Sequence, residues 1–166
     1  RVNKSGAIFD KEKLNWMNRE YIKKMSSSKF QDLIGAILDS QELPQSAINI
    51  NKISNYAQNR IIQLTHIWDE IKCFYIYEKL QKNELKQYKY KELFLFWIRK
   101  LESLESISEI SINTIISDTK KTLAISGKNL FIPMRIGLID KIHGPGLFTI
   151  IDILGLNKCI ERLKQY

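Results

Sequence analysis

The stretch MRIGLIDKIHGPGLFTIIDILG, residues 134–155, decides how this chain reads. Its first half spaces apolar residues at helix period and carries one arginine, Arg135. The pattern breaks at His143-Gly144-Pro145-Gly146, restarts as LFTIIDIL and closes at Gly155. Two glycines around a proline are costly inside a helix. Glycine loses the most backbone entropy, and proline lacks an N–H and clashes with the preceding turn. Between two good helices they predict a rigid corner, built for packing or for holding a ligand.

Outward from that corner the chain reads as all-α, two packed helical bundles dividing near residues 75–82. Its 166 residues, 44% hydrophobic and 27% charged, fit one large domain or two small ones and exclude disorder. A net charge of +8 and a pI near 9.4 favour an acidic partner, nucleic acid or an anionic surface. No apolar run approaches the roughly 18 residues of a membrane span. The start, RVNKSGAIFDKEK, has neither the apolar core of a signal peptide nor an initiator Met, so it reads as cut from a longer chain. Cys73 and Cys159 stand alone, and the histidines are only His66 and His143, so no metal site is expected. The two thiols read as ordinary buried residues in a reducing, cytoplasmic setting.

In order, residues 1–9 read as extended or looped. Asp10 caps a helix whose Leu14, Met17 and Tyr21 share one face. Ser26-Ser27-Ser28 breaks it, and Ser28 with Gln31 has the form of a capping box. The second helix sets Phe30, Leu33, Ile34, Ile37 and Leu38 on one stripe. A third is expected over 52–65, with Ile53, Ala57, Ile61 and Leu64 inward, and a short fourth over 67–74. Over 79–100 seven basic residues meet only Glu84 and Glu92. There Leu93, Phe94, Phe96, Trp97 and Leu101 continue a helical pattern that reads as core. Serines between Ser103 and Ser111 can cap a helix over 112–125. Asn129 can cap the next, with Pro133 early enough for its missing N–H to cost little.

Two stretches carry a family resemblance: KSGAIFDKEKLNWMNREYI at 4–22, and LFIPMRIGLIDKIHGPGLFTIIDILG at 130–155 with ERL at 161–163. Together they resemble the C-terminal half of bacterial glutamyl-tRNA synthetases, in the right order and across essentially the whole chain. The resemblance implies three parts. Residues 1–24 are the end of the stem-contact region and an entry helix, and 25–78 and 79–166 are two anticodon-binding helical subdomains. It also implies a fragment without chemistry, since the HIGH and KMSKS signatures belong to an N-terminal domain where glutamate, ATP and Mg meet. Lys24-Met25-Ser26-Ser27-Ser28 imitates the second signature, but it lies downstream of EKLNWMN and lacks the second lysine. A helix end followed by a serine cap accounts for it better. No catalytic residue and no cofactor are therefore expected here.

The implied partner is the tRNA for glutamate, and nothing requires more than a monomer. Sequence-specific RNA readout takes unstacked bases by stacking and by hydrogen bonds to their edges. By the resemblance, Arg135, Gly144, Pro145 and Leu147 lie against the anticodon. Arg135 offers a fork of donors, the corner offers backbone, and Pro145, Leu147 and Phe148 offer flat or apolar surface. His143 has no assigned partner, and Asp140 stands where the family has a small residue. Ile67, before Trp68-Asp69, falls where members restricted to the glutamate tRNA can carry an arginine, which implies tolerance of the glutamine tRNA as well. Lys86, Lys89 and Lys91 are candidates for phosphate contact, which positions RNA without reading it. The same lysines fit another class of protein, a helical protein–protein adaptor with a solvated basic face.

Overall fold

Asp10 opens the first helix as its sequence predicts: the carboxylate accepts the Lys13 N–H at 3.0 Å. The computed structural model describes residues 10–166, so the expectations for residues 1–9 lie outside the described residues. The described residues form nine α-helices joined by short 3-10 turns, with no strand among them. Among them no helix is long and apolar enough to cross a membrane.

Helix α1 (Lys11–Lys24) buries Ile22 alone among its residues. Leu14, Met17 and Tyr21 do share a face, but that face is open, with Leu14 41% and Tyr21 71% exposed. The helix packs against α3 through its C-terminal end, where Ile22 is buried. Amphipathic spacing reports which residues share a side and not what covers it.

Helix α2 (Ser27–Ser40) begins after Ser26, whose hydroxyl accepts the Lys29 N–H at 3.4 Å. The cap is therefore Ser26 rather than Ser28, and the signature-like serines are a helix boundary. Phe30, Ile34 and Leu38 are fully buried from this helix, with Leu33 and Ile37 half-buried beside them. Helix α3 (Ile50–Arg60), capped by the Asn49 side chain, packs along α2 and buries Ile53 and Ala57. It stops well short of residue 65. Ile61 is still buried at its end, but Leu64 points outward from a 3-10 turn. Helix α4 (Ile67–Tyr75) follows at once.

Past a 3-10 segment at Lys82–Gln87, α5 (Tyr90–Glu102) buries Leu93, Phe94, Trp97 and Leu101, while Phe96 is half-buried. The aromatic cluster is core. Helix α6 (Glu109–Leu123) opens on a reciprocal Ser108–Ser111 capping box. Helix α7 (Lys128–Ile139) starts from Gly127 without a side-chain cap, so Asn129 lies inside the helix instead of capping it. Pro133 is then in the second turn, buried, where its ring deprives the Asn129 carbonyl of a helical donor. Helices α8 (Leu147–Leu154) and α9 (Leu156–Leu163) are separated by Gly155, whose φ of +78° favours glycine.

Helix α7 runs beside α5 and α9, and Gly137 permits it. A Cβ there would meet Phe94 at 2.6 Å and Leu163 at 2.8 Å. The early and late helices share one hydrophobic cluster. Helix α3 packs on α8, and Lys52 Nζ reaches the Asp152 carboxylate at 2.6 Å. Lys158 Nζ adds a bond to the Ala47 carbonyl at 3.1 Å.

Candidate nucleic-acid interface

The turn in residues 134–155 begins earlier than its glycines. Helix α7 ends where Asp140 enters the left-handed region (φ 55°, ψ 35°) and returns its N–H to the Ile136 carbonyl. Aspartate tolerates this conformation better than most residues. Its carboxylate accepts the Leu80 N–H at 2.7 Å and the Gln81 N–H at 2.9 Å. Asp140 thus pins the connection between α4 and α5 to the end of α7. The charge that looked out of place in the sequence has a structural task. Neither Gly144 nor Gly146 has a positive φ, and Gly146 leads into α8 at φ −65°, ψ 155°.

Arg135 lies half-buried on α7 and turns toward this corner. Its Nε donates to the Pro145 carbonyl at 3.1 Å, and its guanidinium sits 5.8 Å from the Phe131 ring centroid. Burial lowers its pKa from the ordinary arginine value. No carboxylate pairs with it among the described residues. Gly144 closes over it: a Cβ there would come to 3.3 Å from Ile139 Cδ1 and 3.9 Å from Arg135 Cδ. His143, Gly144 and Gly146 are exposed. What the corner offers outward is backbone and one cation held from behind.

Two other corner residues face inward. Pro145 is buried and Leu147 is 2% exposed, so the flat apolar surface expected of them belongs to the core. Leu147 starts α8, and an apolar first turn docked on the bundle fixes the corner's exit. Phe148 is half-buried. Ile67 is likewise turned inward. At 1% exposure it is a core residue of α4. Trp68, half-buried, is packed partly against the core. The positions around it are the exposed His66 and Asp69, and Asp69 pairs with Lys72 at 2.7 Å.

Lys86, Lys89 and Lys91 are all exposed, and none has a carboxylate partner among the described residues. Lys86 lies on the 3-10 segment that packs against α7, Lys89 precedes α5 and Lys91 is in its first turn. Lys100, by contrast, is committed to Asp118 at 2.6 Å. Cys73 and Cys159 are buried free thiols. Burial pushes both up, Cys159 to about 12, so they stay protonated near neutrality. Among the described residues no three His, Cys, Asp or Glu side chains gather as a metal site would require.

Sequence reasoning missed a buried cation. Arg162 on α9 is 4% exposed and donates to the Cys73, Phe74 and Leu138 carbonyls. Its membership of the ERL segment marked the place, but nothing in its spacing foretold three backbone acceptors.

Among the described residues the body is helical and strand-free, with exposed lysines and a backbone-lined corner. The anticodon binding domain family model matches residues 10–166, and the chain belongs to that family. It is 29% identical, over all of its length, to the glutamate–tRNA ligase of Staphylococcus saprophyticus. To that of Desulfitobacterium hafniense it is 31% identical over 98% of its length. It spans 36% of each of these relatives. Among solved structures, a glutamate–tRNA ligase from Elizabethkingia meningosepticum superposes with a TM-score of 0.81 at 19% identity, covering 99% of this chain and 33% of that one. A glutamate–tRNA synthetase from Elizabethkingia anophelis gives 0.74 at 18% identity, covering 95% and 31%.

Proposed function

We propose that this chain is the anticodon-reading part of a glutamate–tRNA ligase. It binds the tRNA for glutamate by its anticodon loop and presents it for ATP-dependent ligation of glutamate elsewhere in the polypeptide. The reading is carried by Arg135, a cation with no carboxylate partner among the described residues, braced at an exposed corner of an anticodon-binding family domain. In this reading residues 25–78 and 79–166 are the two helical subdomains that hold the loop. Gly144 and the neighbouring backbone approach the bases, while Pro145 and Leu147 shape the corner from inside. Lys86, Lys89 and Lys91 hold phosphates. ATP and Mg act in a catalytic domain outside this chain.

Binding of a glutamate tRNA transcript to the chain, measured across a salt series, tests the proposal. Three phosphate contacts should cut affinity on the order of tenfold to a hundredfold between about 50 and 200 mM salt. A helical adaptor with a merely solubilising face would bind no tRNA even at the lowest salt. A second reading concerns specificity. The first turn of α4 offers Trp68 and Asp69 and no arginine, which supports acceptance of the glutamine tRNA too. A glutamine transcript run in the same series addresses it: comparable affinity supports tolerance, and binding of the glutamate transcript alone defeats it.

A further inference from the structure

The ends of α4 and α7 meet the terminal helix around one buried guanidinium. Nη1 of Arg162 donates to the Cys73 carbonyl at 3.3 Å and to the Leu138 carbonyl, and Nη2 donates to the Phe74 carbonyl at 2.7 Å. Cys73 and Phe74 lie in the last turn of α4, and Leu138 in the last turn of α7. Carbonyls there have no partner within their own helix, and they form the negative ends of the helix dipoles. Arg162 therefore answers both helices at once, and it has no carboxylate partner among the described residues. Its guanidinium lies 4.6 Å from the centroid of the Tyr77 ring. The Tyr77 hydroxyl in turn donates to the Gly137 carbonyl on α7, with the Tyr166 hydroxyl 3.1 Å away.

This joint sits directly behind the corner. The left-handed turn at Asp140 follows Leu138 by two residues, and Asp140 itself grips the chain just beyond Tyr77. Helix α4, the other arm, carries Trp68 in its first turn. We propose that Arg162 is a positioning residue for RNA recognition. It locks the C-terminal ends of α4 and α7 together and so sets the angle at which Arg135 and the 140–146 corner meet the RNA. The proposal rests on the anticodon-reading function. Arg162 is too deeply buried to touch the RNA itself.

The test uses the full chain and an anticodon stem-loop of the glutamate tRNA. Arg162→Lys keeps the cation but loses the planar fork that spans carbonyls of two helices. Affinity is measured where circular dichroism shows the variant folded, together with the amide NMR shifts of Gly144 and Gly146. The corner shifts should move and affinity should fall about tenfold. The salt slope should match wild type, since no phosphate contact is removed. A purely structural arginine would lower Tm while leaving the corner shifts and the folded protein's affinity at wild-type values, and that result overturns the proposal. If Arg162→Lys does not fold, Tyr77→Phe carries the test. It keeps the ring against the guanidinium, removes the bond to Gly137, and should weaken binding about threefold. Wild-type affinity in that folded variant would equally overturn it. Failure of wild type to bind the stem-loop would sink the anticodon reading instead, whereas firm wild-type binding with unaffected variants sinks the positioning role alone.

Discussion

Arg135 and Arg162 are the same side chain put to opposite uses. Arg162 is closed in and spends its donors on three helix-terminal carbonyls, each bond to a charged group worth about 1.5–3 kcal/mol against a large desolvation cost. Arg135 commits its Nε to the Pro145 carbonyl and stays half-buried at the rim of an exposed corner. Replacing Arg135 by Ala should weaken anticodon stem-loop binding by about 1–3 kcal/mol. Tm should change little, because the lost bond is a single one at a partly solvated site. Unchanged affinity in a folded variant would reassign Arg135 to holding the corner. The resemblance drew attention to Arg135, which lies half-buried at the corner, and equally to Ile67, Pro145 and Leu147, which the fold buries. Which way a side chain faces follows from helix phase and from what packs on it. Residue identity at a motif position carries neither.

At the scale of elements, a side-chain cap made a helix start legible only in part: Ser26 and Asn49 cap α2 and α3 where the sequence pointed to Ser28 and to a start at 52. Asp10 and Ser108 open their helices through hydrogen bonds that composition foretells. Boundaries set by backbone alone were not legible: α7 starts from Gly127 and ends at a left-handed Asp140. The α4–α5 connection depends on Asp140 in the same way, because its carboxylate takes two backbone N–H groups there. Asp140→Ala should lower unfolding free energy by about 1–3 kcal/mol, read as a reduced urea midpoint at constant m-value. Asp140→Asn should recover part of it, since an amide oxygen can still accept and asparagine tolerates the left-handed turn. An unchanged midpoint for the alanine variant would show that the connection holds without its anchor.

For the whole molecule, the 3.6-residue periodicity made the all-α class readable from the chain alone, and the net charge of +8 pointed toward an acidic partner. The long-range assembly was not. Helix α3 meets α8 through Lys52 and Asp152, and α1 leaves an apolar face open; neither follows from local spacing. The central claim is that this assembly presents a corner which reads an anticodon, and sequence-dependent binding tests it most directly. Fluorescence anisotropy would compare the anticodon stem-loop of the glutamate tRNA with the same stem carrying an unrelated loop. The account predicts that the native loop binds more tightly by at least about 1.4 kcal/mol, a tenfold ratio in Kd. Equal affinity for the two loops at every salt concentration would contradict it.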